Sequence, residues 1–155
     1  PVSALATGVT GCTGLETLEI VQGVAAQVRP AAVIVIDALA ARERKRLCAT
    51  VQLSDTGLIP GSGVGNHRRA VTAESLGVPV IAAGVPTVID AHTLCGDLLE
   101  EAGKGDFDVG HRGEDLFVTP RDIDRSVHDA AKLLGYGINL AVQTGLRVED
   151  VDLFL

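Results

Sequence analysis

Ala32-Val33-Ile34-Val35-Ile36 is an unbroken apolar run with four β-branched residues in a row, ended by the acid Asp37. A run that does not alternate cannot leave one face in water, so it reads as a parallel strand covered on both faces and therefore central in its sheet. Upstream, Thr13-Gly14-Leu15-Glu16 has the order of a capping box, in which Thr13 caps a helix and Glu16 reaches back to the Thr13 amide. Leu18, Val21, Ala25 and Val28 then recur at helical spacing, and Pro30 ends the element. With Pro1 to Ala6 read as a strand, Pro1 to Asp37 becomes strand, helix, strand, a βαβ unit whose crossover should be right-handed.

Further along, Thr50 to Ser54 and Val78 to Ala83 are strand candidates. Thr87-Val88-Ile89-Asp90 has N-cap and N3 residues in order and predicts a helix from Thr87 to about Gly103. Residues 103–114 are polar and glycine-rich and read as an exposed connection. Thr119-Pro120-Arg121-Asp122 predicts a third helix start with Pro at the first helical position. The stripe Ile123, Val127, Ala130, Leu134, Ile138 and Ala141 carries that helix through Gly135 and Gly137. At 155 residues and 46% hydrophobic, the chain has the size of one domain over 1–155. The expected class is α/β, a layered sandwich with a mostly parallel central sheet flanked by helices. In such folds ligands sit beyond the carboxyl ends of the parallel strands. That rule points to Thr7 to Gly11, to Asp37, to Ser54-Asp55 and to Gly84-Val85-Pro86.

Charge and composition remove several classes of function. A net charge of -7 repels nucleic acid and anionic membranes, and 3% aromatic residues leave no base-stacking platform. Cys12, Cys48 and Cys95 are odd in number and match no C-x-x-C spacing, which fits unpaired buried thiols in a reducing compartment. No apolar stretch approaches the length of a membrane span. The sequence contains no methionine, so it is expected to be processed or to lack its beginning.

Asp37 follows the apolar run directly, which puts a carboxyl at the expected sheet edge where a proton-handling acid could act; the competing reading is a turn cap. Asp55, in Ser54-Asp55-Thr56-Gly57, is open to three readings: a second acid, a metal ligand or an Asx-turn residue. Asp90 is explained structurally, as a helix N3 residue. Gly61-Ser62-Gly63-Val64-Gly65-Asn66, with His67-Arg68-Arg69 after it, lacks the endings of a P-loop or a dinucleotide fingerprint and reads as a substrate-lining loop or a series of tight turns. Arg42, Arg44, Lys45 and Arg46 with Glu43 read as a solvated charged face. His67, His92, His111 and His128 share no metal-binding spacing, and His92 with Cys95 on one helix face does not make a metal site, so neither metal nor cofactor is expected.

Taken together, Pro1 to Ala6, Gly8-Val9-Thr10-Gly11 with Thr13 to Thr17, Val35-Ile36-Asp37-Ala38-Leu39-Ala40-Ala41-Arg42, Ser54-Asp55-Thr56-Gly57, Pro60 to Asn66 and Gly77 to Asp90 resemble the germination protease (spore protease) family. The likeness covers most of Pro1 to Asp90. Phe117 to Asp124 and Gly137 to Ala141 look like the family's C-terminal helix region, while about Cys95 to Leu116 matches nothing identifiable.

The resemblance implies an endopeptidase of the spore core, in the cytoplasm, that degrades small acid-soluble spore proteins during germination. It also implies a fold similar to the hydrogenase-maturation endopeptidases, a homotetramer, and activation by removal of an N-terminal propeptide. The family is regarded as aspartic-type with two aspartates, of which one carries over onto Asp37. The other belongs to a Thr-Pro-Asp-Ala-Leu-Gly segment that precedes the strand at which this chain begins, so these 155 residues are expected to be inactive alone. Strands missing upstream would also leave an apolar sheet face exposed and the segment poorly soluble. Two rivals stand beside this reading: a metal-assisted peptidase of the hydrogenase-maturation type, and a non-catalytic binding or assembly module.

Overall fold

The computed structural model describes residues 1–8, 10–65, 68–111, 113 and 115–151, without the side chains of residues 10, 11, 64 and 151. In chain order its elements are α1 (Thr10–Thr13), α2 (Thr17–Val28), β1 (Val33–Ala41), β2 (Gln52–Ser54), α3 (Ala73–Leu76), β3 (Val80–Asp90), α4 (Ala91–Glu101), β4 (Phe117–Val118), α5 (Ile123–Val142) and α6 (Val148–Val151). Short 3-10 turns cover Arg44–Arg46 and Ser62–Val64. The fold is mixed α/β. Two compact units are distinct: Leu5–Thr119, and Pro120–Leu155 with Pro1–Ala4.

In the larger unit the apolar run forms β1, and the strand continues past Asp37 to Ala41 because Ala38 to Ala41 pair with Val85 to Ile89 of β3. The pairing is parallel and sets Asp37 opposite Gly84, with a bulge between Leu39 and Ala40. β2 pairs antiparallel with the other edge of β3, Gln52 opposite Gly84, and β4 closes antiparallel on Ile89 and Asp90. The order is β1-β3-β2. Among the described strands β3 is therefore central and β1 lies at an edge, the reverse of the expected placement. The sheet is mixed rather than mostly parallel, because the short β2 and β4 return along β3 instead of crossing over. Ile34 and Ile36 remain exposed, so the β1 run is covered on one face only.

Three further expectations change. Pro1 to Ala6 forms no strand, so the βαβ unit there is absent. The α2 helix starts three residues later than the Thr13 pattern implies. Glu16 is its N-cap and forms the capping box with Glu19, whose carboxylate accepts from the Glu16 amide at 3.1 Å. The Thr13 hydroxyl instead caps its own turn at Leu15. Thr87 to Asp90 is the end of β3, not a helix. Pairing with both β1 and β4 overrides the local cap signal, and the helix begins one residue after Asp90. The core of this unit is Leu18, Ala41, Val71, Val80, Ala82, Ala83, Val85 and Ile89, centred on β3.

In the smaller unit α5 runs unbroken through Gly135 and Gly137 as its apolar stripe requires. It begins after Asp122, so Pro120 lies before the helix rather than at its first position. Asn139 holds the last turns: its amide donates to the Gly135 carbonyl at 2.9 Å and its side-chain oxygen accepts from Gln143 at 2.8 Å.

Candidate active site

Asp37 sits in the middle of β1, fifth of nine residues, and is half-buried. It does not leave the strand at a carboxyl end. Side chains on paired residues share a sheet face, so Asp37 lies on the face of Val35, Leu39, Ala82 and Gly84. Gly84 supplies room there. A Cβ at that position would fall 2.3 Å from Leu39 Cδ1, so the Leu39 side chain occupies the space that any other residue would need.

The 61–65 loop reaches the same acid. Gly61 and Gly65, both left-handed with φ of 71° and 75°, bracket the Ser62–Val64 turn. The Gly61 amide donates to Asp37 Oδ2 at 3.4 Å. Gly63 lies against β1 so closely that a Cβ would stand 2.9 Å from both the Cβ and the amide nitrogen of Ala40. Of the predicted lining residues, Gly61 thus touches Asp37, Gly63 seats the loop, and Ser62 and Gly65 are exposed. Asn66 and His67 lie outside the described residues.

Asp55 is placed elsewhere. It follows β2, on the far side of β3 from β1, so its strand is two inter-strand spacings, roughly 10 Å, from that of Asp37. It is exposed, and the turn it occupies is held by Ser54, whose hydroxyl accepts from the Thr56 amide at 3.0 Å and bonds the Thr56 hydroxyl at 2.6 Å. Gly84-Val85-Pro86 lies inside β3 rather than beyond its end.

Asp90 is the N-cap of α4, not its N3 residue, and accepts from the Thr93 amide at 2.7 Å and the Thr93 hydroxyl at 2.6 Å. Burial pushes its carboxyl up, but the Thr93 bonds and nearby His92 outweigh this and hold it below the ordinary carboxylate value. The charged run is more than a solvated face. The Arg44 amide donates to Asp97 at 2.5 Å and its guanidinium meets Glu101 at 2.6 Å, tying the Arg44–Arg46 turn to α4. Cys12 and Cys95 are exposed and Cys48 half-buried, all unpaired, so the thiols are less buried than expected. Among the described residues no group of three or more His, Cys, Asp or Glu could hold a metal ion, and no helix is long and apolar enough to cross a membrane.

A family model described as germination protease matches residues 1–104, which contain Asp37, its facing strand β3 and the 61–65 loop. The chain belongs to the germination protease family. A germination protease of Clostridium perfringens (strain SM101 / Type A) is 41% identical over 182 residues, covering 100% of this chain and 56% of the relative. That of Caldanaerobacter subterraneus subsp. tengcongensis is 42% identical over 181 residues, covering 99% of this chain and 56% of the relative. That of Geobacillus sp. (strain WCH70) is 51% identical over 116 residues, 75% of this chain and 30% of the relative. The chain therefore spans a little over half the length of the Clostridium and Caldanaerobacter germination proteases. The family match stops at the start of the polar 103–114 connection.

The contact that sequence reasoning missed is the one between Gly61 and Asp37. It joins backbone to side chain across 24 positions, and a glycine amide carries no chemical label in a sequence. The clustered glycines at 61, 63 and 65 were the available signal.

Proposed function

We propose that this chain carries one of the two catalytic aspartates, Asp37, of an endopeptidase that degrades small acid-soluble spore proteins in the spore core during germination. The observation that carries the reading is the germination protease match over residues 1–104, within which Asp37 accepts a hydrogen bond from the Gly61 amide. The whole protease is proposed to be a homotetramer released from a zymogen by loss of an N-terminal propeptide, with a fold similar to the hydrogenase-maturation endopeptidases. Those features rest on the family resemblance alone.

The chemistry requires two carboxyls that share one proton. One takes a proton from water as the water oxygen attacks the scissile carbonyl, and the other donates to the developing oxyanion. The Gly61 amide engages Oδ2 of Asp37, which leaves Oδ1 as the oxygen for water or peptide. By the family resemblance the partner aspartate belongs to a Thr-Pro-Asp-Ala-Leu-Gly segment, which these 155 residues do not contain. The 155 residues alone are accordingly expected not to cleave.

The test is cleavage of a small acid-soluble spore protein by the full-length protease. Asp37→Asn should reduce kcat by about 10²- to 10⁴-fold, because proton transfer by that oxygen is lost. Activity at the parent level in Asp37→Asn, or Asp37-dependent cleavage by the 155-residue chain alone, would refute the assignment. Cleavage that persists in the presence of a chelator separates this mechanism from a metal-assisted one.

A further inference from the structure

We infer that Gly63 is a positioning residue: its missing side chain lets the 61–65 loop seat on Ala40, and that seating holds the Gly61 amide on the Asp37 carboxylate. The inference rests on Asp37 being catalytic, as proposed above, and gives a role to a residue that makes no contact with the acid. Three observations converge. Gly63 has no positive φ, so its backbone conformation is open to any residue, and the demand for glycine comes from space alone. A Cβ there would lie 2.9 Å from Ala40 Cβ and 2.9 Å from the Ala40 amide nitrogen, where carbon contacts normally sit at about 3.5–4.0 Å. One of those atoms is strand backbone, pinned by the pairing of β1 with β3, so the loop is the partner that must move.

The third observation is the length of the bond at stake. The Gly61 amide stands 3.4 Å from Asp37 Oδ2, already beyond the usual N–H···O distance of about 2.7–3.2 Å. The bond has no slack. Restoring an ordinary contact at residue 63 requires a shift of roughly 0.5–1 Å, and a shift of that size away from β1 opens the bond. Left-handed glycines at both ends of the Ser62–Val64 turn let the segment move as one piece instead of absorbing the strain locally. Without the amide, Oδ2 loses the donor that fixes the carboxylate plane, and a misplacement of about 1 Å is enough to lower a rate about 10²-fold.

The experiment compares Gly63→Ala, the double variant Gly63→Ala with Ala40→Gly, and Ala40→Gly alone. In the full-length protease, Gly63→Ala should lower kcat about ten- to a hundredfold with KM and the thermal midpoint little changed. Ala40→Gly in the same chain should restore part of the loss by removing one of the two close contacts. The second readout is the Gly61 amide resonance in the 155-residue chain, which should move in Gly63→Ala in the same direction as in Asp37→Asn, where the acceptor is weakened. Parent-level kcat in Gly63→Ala, or an unmoved Gly61 resonance, overturns the inference. Should Gly63→Ala fail to fold, the double variant is read against Ala40→Gly alone: a kcat about tenfold lower supports positioning, and equal kcat refutes it. If Asp37→Asn retains full cleavage, the catalytic assignment fails, whereas the resonance still reports whether Gly63 seats the loop.

Discussion

Individual residues in this chain separate two reasons for a glycine. Gly57 is left-handed, with φ of 79°, and a Cβ there would lie 2.2 Å from the Val71 carbonyl oxygen and 2.9 Å from Thr72 Cα. It sits where Leu58 and Val71 exchange backbone hydrogen bonds of 3.1 and 2.8 Å, and Val71 is fully buried. Gly65 has a similar φ of 75° but nothing within 4 Å of its Cβ position. Gly57→Ala should therefore lose about 2–3 kcal/mol, combining left-handed strain with a backbone clash, whereas Gly65→Ala should lose only about 1 kcal/mol. Urea unfolding decides between them, through midpoints that fall unequally at constant slope. Asp90 supplies the pH-dependent counterpart. Its folded-state value is lowered, so its contribution is present above the ordinary carboxylate value of about 4 and is lost as pH falls through the folded value below that. Asp90→Ala should cost about 1–2 kcal/mol at neutral pH through the lost N-cap, and the difference from the parent should shrink as unfolding is measured towards pH 3. A difference that stays constant down to that pH would show that the Thr93 bonds do not favour the charged carboxylate.

Elements were legible where their signal was local and uncontested. Val33 to Ile36 became a strand because no helix-compatible pattern competes with four β-branched residues, and α5 kept its six-residue stripe through two glycines. Boundaries set by partners were not legible. Asp37 reads as a strand end in sequence and is mid-strand in the fold, since Ala38 to Ala41 have no strand pattern of their own and are held by β3. Thr87 to Asp90 mimics a cap, yet the true cap lies three residues on, with Asp90 in the role given to Thr87. The acid of the site was thus visible, while the loop that meets it was visible only as a cluster of glycines. The same distinction applies to the basic run at Arg44–Arg46. Its charges look solvated, and the Arg44 and Glu101 side chains are indeed 45% and 55% exposed, but the Arg44 backbone is held by Asp97. An exposed ion pair contributes little, whereas an N–H acceptor on a neighbouring helix fixes the chain path. Asp97→Ala should accordingly lower the thermal midpoint more than Glu101→Ala. Equal midpoints would mean that α4 holds the turn through the ion pair after all.

The larger unit leaves a group of large apolar side chains exposed on one sheet face, flanking the buried Ala83. The registers place Ile34 beside Ile81, and Ile36 in one row with Ala83 and Leu53. Ile36 is 51%, Ile81 45% and Leu53 73% exposed. Contiguous apolar area on the order of a few hundred Å² is the amount that marks an interaction surface or an aggregation liability. Working against it is a net charge of -7, which keeps copies of the chain apart while the field between them is unscreened. These two effects respond oppositely to salt. The Debye length falls from about 30 Å at 0.01 M to about 8 Å at 0.15 M, so repulsion weakens while the apolar attraction persists. The 155-residue chain should therefore self-associate with rising salt and rising concentration, and lysines at Ile36 and Leu53 should abolish most of that response by charging the centre of the face. Sedimentation velocity across a salt series reads the outcome directly. A coefficient that is independent of salt and concentration in the parent chain, or an unchanged response in the Ile36→Lys, Leu53→Lys variant, would show that this face does not govern how the chain behaves in solution.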